Sequence, residues 1–367
     1  MNHPIRRIAV NTGGGDAPGL NAVIRAIVLA ALRRSWEVLG IQKGYEGLLD
    51  TSKIVQLDRD SVRGITHLGG TILGTTNKGN PFERPLKLPD GTTTLVDRSD
   101  EVVANFQRLG IDALIAIGGD GSMRIAQRFS EKGLPIVGVP KTIDNDLSGT
   151  VATFGFDTAV TVATEALDRL HSTAEAHERV FVVEVMGRYA GWIALNAGVS
   201  ATADAILIPE IPFDIEMVCA KVMDREAHGR HFAIVVVAEG AKPIGGELVT
   251  KGPLEAGREV QLGGVAERVA REIEDRTGKE TRTVVLGHLQ RGGSPTTFDR
   301  LLALRFGAAA VRTVEARTFN VMVALDPPSV LTVPLAEATR RMKCVPVDGD
   351  TVATARDLGI CFGDVWP

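Results

Sequence analysis

A chain of 367 residues, 44% hydrophobic and 23% charged, is too long for one small core and has the balance of a soluble enzyme with two α/β lobes. The formal charge of -4 gives no support to a nucleic-acid partner, so an anionic substrate would be held by local arginine clusters. Cys219, Cys344 and Cys361 form neither a metal motif nor a disulfide framework, no signal-peptide pattern opens the chain, and the apolar run 26–32 is too short to span a bilayer, so a cytoplasmic protein without a membrane partner is expected.

Strand, glycine-rich turn and helix alternate along the chain. Residues 7–10 read as a buried strand, 13–19 as a glycine loop and 20–34 as an amphipathic helix. The stretch 77–97, rich in Pro, Gly, Thr and charge, reads as a surface excursion with hairpin character. A strand at 113–117 runs into Gly118 to Gly121 and a helix opening at Ser122. A strand at 135–139 feeds Pro140 to Asp146, and one at 180–185 feeds Met186 to Arg188. Strands at 232–237 and 283–286 feed Glu239-Gly240 and His288 to Gly293. Short β-rich apolar runs of this kind predict parallel strands covered on both faces, with ligands bound at their C-terminal ends.

The polar clusters suit phosphoryl transfer to a hydroxyl. Gly13 to Gly19 matches neither the dinucleotide fingerprint nor the Walker loop, yet three glycines before a helix make an anion nest from backbone N–H groups. Gly118 to Ser122 lets backbone approach a nucleotide, and Asp120 can hold Mg²⁺, which takes one or two carboxylates plus phosphate oxygens. That loop is shared in outline with lipid and nicotinamide-nucleotide kinases, which stay open as alternatives. Thr142, Asp144 and Asp146 alternate, so both carboxylates fall on one side, and one can act as base. Arg179, Arg188, Arg282 and Arg291 lie in or beside loops at strand ends; as a set, with His288, they read as a phosphate pocket. Glu239 ends its strand where it can accept from sugar hydroxyls.

These motifs, in this order and spacing, resemble the 6-phosphofructokinases of the bacterial type. The match runs from Gly14 to Gly19 through Gly69 to Gly74, Gly118 to Ser122, Pro140 to Asp146, Val183 to Arg188 and Leu286 to Ser294. The resemblance implies two Rossmann-like three-layer lobes with mostly parallel sheets and an active site in the cleft between them. Residues 1–155 with about 290–340 would bind the donor; about 156–289 with the C-terminal segment would bind fructose 6-phosphate. It implies Mg²⁺-dependent transfer from ATP to the sugar 1-hydroxyl. Asp144 would be the base, Thr142 and Asp146 its assistants, and Arg188 the transition-state cation. Gly15, Asn77, Lys78, Gly119, Asp120, Gly121, Ser122 and Lys141 would meet the donor, with Asp120 on the metal. Met186, Gly187 and Glu239 would line the sugar site. Arg179, Arg282, His288 and Arg291 would hold the 6-phosphate, the first two reaching in from a neighbouring subunit of a homo-oligomer, a dimer or tetramer.

Two departures from the family pattern carry further expectations. Gly121 favours ATP, since pyrophosphate-using relatives carry Asp there, whereas Lys141 is the residue of pyrophosphate users; a pyrophosphate-dependent enzyme is the alternative. Asn77 replaces a frequent arginine, with Lys78 beside it. In the family's effector site Arg25, Arg59 and Arg230 match, and Asp204 stands where an acid helps hold Mg²⁺, but Leu29 and His171 replace arginines, so weakened effector control is expected.

Overall fold

A computed structural model describes residues 3–76, 79–250 and 262–366. Thirteen strands occur among these residues: β1 (Arg7–Thr12), β2 (Glu37–Ile41), β3 (Ile54–Leu57), β4 (Arg84–Lys87), β5 (Thr93–Val96), β6 (Ala113–Gly118), β7 (Ile136–Pro140), β8 (Val180–Val185), β9 (Ala205–Leu207), β10 (Ala233–Ala238), β11 (Thr281–Val285), β12 (Val321–Asp326) and β13 (Ser329–Pro334). They form a seven-stranded sheet in the order β13-β12-β7-β6-β1-β2-β3, a four-stranded sheet in the order β11-β8-β10-β9, and the hairpin β4-β5. The four-stranded sheet is wholly parallel. In the larger one only β3 and β13, at the two edges, pair antiparallel.

Alternation along each central strand builds the three layers. Ile8 and Val10 enter one core while Ala9 enters the opposite one; Ile115 and Ile117 likewise oppose Leu114 and Ala116. In the smaller sheet Phe181 and Val183 face one core, Val180 and Val182 the other. Both faces are dry, which is why these strands read as continuous apolar runs rather than as alternating ones.

The chain passes from the larger sheet to the smaller through the helix Phe156–His177 and returns through the helix Thr297–Glu315. The two helix starts are bonded together. Buried Asp299 accepts from the Thr158 N–H at 2.7 Å and from its hydroxyl at 2.6 Å, and Thr296 donates to Asp157 at 2.6 Å. Burial pushes the Asp299 carboxyl up to about 6.

Several boundaries differ from the sequence reading. The first helix stops at Leu32, not Arg34, and Ser35 takes a positive φ of 59° just after it. The second nucleotide-loop helix opens at Asp120, two residues before Ser122. The C-terminal stretch also holds more order than its composition suggests. It forms the helix Asp350–Asp357 and then lays Cys361 against Ala205, covering the β9 edge of the small sheet. The other edge, β11, stays largely exposed from Arg282 to Val285. Among the described residues no helix is long and apolar enough to cross a membrane.

Candidate active site

In the larger sheet the strand order reverses direction at β1 and β6, so the crevice beyond their C-terminal ends is the expected ligand position. Both glycine loops emerge there. The Gly13 N–H donates to the Ile117 carbonyl at 2.9 Å and the Gly14 N–H to that of Thr76 at 3.1 Å, which moors the first loop over β6. Gly118 is required by packing: a Cβ there would stand 2.2 Å from that of Ser122. At Gly121, by contrast, a Cβ would meet nothing within 4 Å. Asp120 opens its helix and accepts from Arg124 one turn on at 2.8 Å.

Lys141 follows β7 and is buried, with its ammonium donating to the Gly15 carbonyl. Burial pushes its pKa down to about 7 and Arg291 adds to that, against the attraction of Asp16, Asp144 and Asp146. Arg291, in the turn Gly287–Arg291 that follows β11, reaches the same loop. Its Nη1 donates to the Asp16 carbonyl at 3.1 Å and lies 2.9 Å from where a Gly15 Cβ would stand.

The acidic turn sits directly beyond Lys141. Thr142 Oγ1 accepts from the Asp144 N–H at 3.1 Å, and Asn145 holds a positive φ of 50°. Asp146 is pushed up to about 7, first by burial and then by Asp144, with Asp120 adding repulsion and a Thr142 hydrogen bond opposing it. Its Oδ1 is buried without a hydrogen-bond partner. Asp146, repelled by Asp144 and Asp120 and left with an orphaned oxygen, fits a divalent cation held largely by phosphate oxygens. Among the described residues there is no cluster of three or more His, Cys, Asp or Glu side chains that would form an all-protein metal cage.

The small sheet supplies the opposite wall. The Met186 N–H donates to Gln290 Oε1 at 2.8 Å, tying the end of β8 to the turn Gly287–Arg291. The Arg188 guanidinium stands 5.3 Å from the centroid of the Tyr189 ring. Glu239 follows β10, its N–H donating to the Val185 carbonyl at 2.9 Å. Burial and then Glu184 raise its pKa, while a Gly187 N–H bond, Arg188 and Arg291 oppose the rise. Gly240 next to it tolerates no side chain, since a Cβ would sit 2.0 Å from the Arg188 carbonyl oxygen. His288 lies exposed in the Gly287–Arg291 turn.

The four arginines do not make one pocket within a chain. Arg188 and Arg291 lie at the C-terminal ends of β8 and β11, whereas Arg179 and Arg282 lie at the N-terminal ends of the same strands. Strands of six and five residues separate the ends, about 16 Å or more at 3.3 Å per residue. Arg179 and Arg282 both pair with Glu280 there, Arg179 at 2.8 Å. Sequence proximity to "strand ends" did not say which end. Asn77 and Lys78 lie outside the described residues. At the expected effector site, Asp204 does not face outward. It pairs with Arg225 at 2.7 Å and accepts from the Ile234 N–H at 2.9 Å.

The family model described as phosphofructokinase matches residues 7–314. The chain belongs to the phosphofructokinase family. It is 52% identical to an ATP-dependent 6-phosphofructokinase of Chloroflexus aurantiacus, with 98% of each chain covered. It is also 49% identical to a pyrophosphate–fructose 6-phosphate 1-phosphotransferase of Streptomyces coelicolor, covering 97% of this chain and 100% of that one. Among solved structures, yeast phosphofructokinase superimposes with a TM-score of 0.78 at 30% identity; the match covers 96% of this chain and 46% of the longer yeast chain. The structure also brings to these turns residues that the sequence left without a role: Gln290, bonded to Met186, Asn145, and Lys343, which reaches the acidic turn from the C-terminal segment. No local spacing marks Lys343, because its partners lie almost 200 positions earlier.

Proposed function

We propose that this chain is an ATP-dependent 6-phosphofructokinase, transferring the γ-phosphoryl group of ATP to the 1-hydroxyl of fructose 6-phosphate. The observation that carries the donor assignment is the open space beside Gly121, which admits a nucleoside next to the two glycine loops. The seven-stranded sheet's loops bind the donor and the four-stranded sheet's loops bind the sugar phosphate.

Each residue then has a physical task. The Gly13–Gly15 backbone and Lys141 surround the donor phosphates, with Gly119 and Ser122 completing the second loop. Asp144 takes the proton from the sugar 1-hydroxyl, a step typically worth 10²–10⁴ in rate. Thr142, hydrogen-bonded to the Asp144 backbone and to the Asp146 carboxyl, holds the turn in shape. Arg188 offsets charge developing on the transferring group. Glu239 accepts from sugar hydroxyls beside Met186 and Gly187, while His288 and Arg291 hold the 6-phosphate. Asp120 would hold Mg²⁺ together with phosphate oxygens, beside Asp146. When bound, the ion supplies charge neutralisation between the phosphates and the acidic turn.

The exposed β11 edge and the placement of Arg179 and Arg282 support a homo-oligomer in which these two arginines complete a neighbour's 6-phosphate site. The position of Asp204 supports weak effector control. A second reading, pyrophosphate as donor, is favoured by one feature: Lys141 places a cation directly on the Gly15 loop, where a short diphosphate would sit. Comparing the two donors with purified protein tests both readings.

A further inference from the structure

Lys343 lies in the stretch joining β13 and the helix Leu335–Ala338 to the C-terminal helix Asp350–Asp357. Its ammonium donates to Asn145 Oδ1 at 3.0 Å and to the carbonyls of Thr150 and Val151 at 3.0 and 2.9 Å, which uses all three N–H bonds. The Lys343 backbone N–H donates to the Asp146 carbonyl at 2.8 Å. The side chain is itself fixed: Nζ lies 5.5 Å from the centroid of the Trp192 ring, and the Trp192 indole N–H donates to the Lys343 carbonyl at 2.9 Å. Its partner Asn145 also accepts from the Thr153 N–H at 3.1 Å, so one amide oxygen joins the acidic turn, the 150–153 strand-like stretch and the C-terminal segment.

From this geometry we infer that Lys343 is a positioning residue of the phosphoryl-transfer site, clamping the turn at Asn145 so that the flanking Asp144 and Asp146 are presented together. The inference rests on the kinase reading above. Asn145 alternates between those two acids and holds a positive φ that the backbone adopts with few residue types. Without its anchor the turn can relax toward ordinary backbone, and both carboxylates would move with it. Nothing in Lys343's contacts places it on substrate, so its effect is expected in turnover rather than in binding.

The test is Lys343→Met, assayed for fructose 6-phosphate phosphorylation beside wild type and Lys343→Arg. Misplacing a reacting group by about 1 Å can cost on the order of a hundredfold. The expected result is kcat lower by roughly ten- to a hundredfold, KM for both substrates within about twofold, and partial recovery in Lys343→Arg. Amide hydrogen exchange in residues 142–153 should rise in the unliganded variant while the central strands β1 and β6 stay protected. A kcat equal to wild type in the folded variant overturns the inference, as does unchanged exchange in 142–153. If Lys343→Met does not fold, Asn145→Gly, which keeps the backbone conformation and removes the anchor, must show the same kcat loss. Unchanged kcat in that variant also overturns the inference. An inactive wild type would instead defeat the kinase reading, and the exchange result would still decide the clamp.

Discussion

The buried ammonium of Lys141 donates to the carbonyl of Gly15, so the strand end that carries the acidic turn is bonded to the first glycine loop. In the proposed kinase this one cation would set the distance between donor and base. It does so at a cost, since burial and neighbouring Arg291 push its pKa down to about 7.

Because Gly121 opens onto empty space, Gly121→Asp should act on ATP far more than on pyrophosphate. The added carboxylate would stand beside Asp120 and the phosphates, where it both crowds the nucleoside and repels it. The expected fall in kcat/KM for ATP is on the order of a hundredfold, read in steady-state assays with each donor.

Asp144→Asn should lower kcat by roughly 10²–10⁴ with KM for fructose 6-phosphate changed little, because the base acts on a proton rather than on binding. Substrate binding measured by calorimetry separates this from loss of the site.

Asp146→Asn should stabilise the protein while impairing it. The folded-state pKa of about 7 lies above the unfolded value of about 3.9, so the folded state keeps a proton that the unfolded state loses. Asp146 therefore costs stability progressively from about pH 4 to pH 7, and fully above that. The variant's gain, on the order of 1–4 kcal/mol, should be largest at pH 8 and vanish near pH 4 in urea melts at each pH.

Arg282→Ala should raise KM for fructose 6-phosphate roughly tenfold or more, as expected for losing a hydrogen bond to a charged group worth about 1.5–3 kcal/mol. Co-refolding it with Asp144→Asn subunits should recover activity at low fructose 6-phosphate that neither variant has alone. Recovery requires that Arg282 and Asp144 serve one site from two chains; its failure would place Arg282 outside the site.

The sequence revealed the fold class, and which polar turns follow which strands, for a physical reason. Parallel strands buried on both faces leave unbroken apolar runs, and each run points to the polar turn that follows it. The segment 180–188 illustrates this, with β8 found at the expected residues and Arg188 at its end. Direction was harder to read. Arg179 and Arg282 sit as close in sequence to their strands as Arg188 does, but at the far ends. Residues that act through non-local contacts left no pattern. Lys343 bonds a turn almost 200 residues away, and Asp204 turns inward because Arg225, from a neighbouring helix, claims its carboxylate.

The most direct test is phosphorylation of fructose 6-phosphate by the purified protein with Mg²⁺, with ATP and pyrophosphate supplied separately at matched concentrations. Turnover with ATP is expected, with fructose 1,6-bisphosphate as product. Turnover with pyrophosphate alone would contradict it, and would mean that the cation at Lys141 outweighs the opening at Gly121.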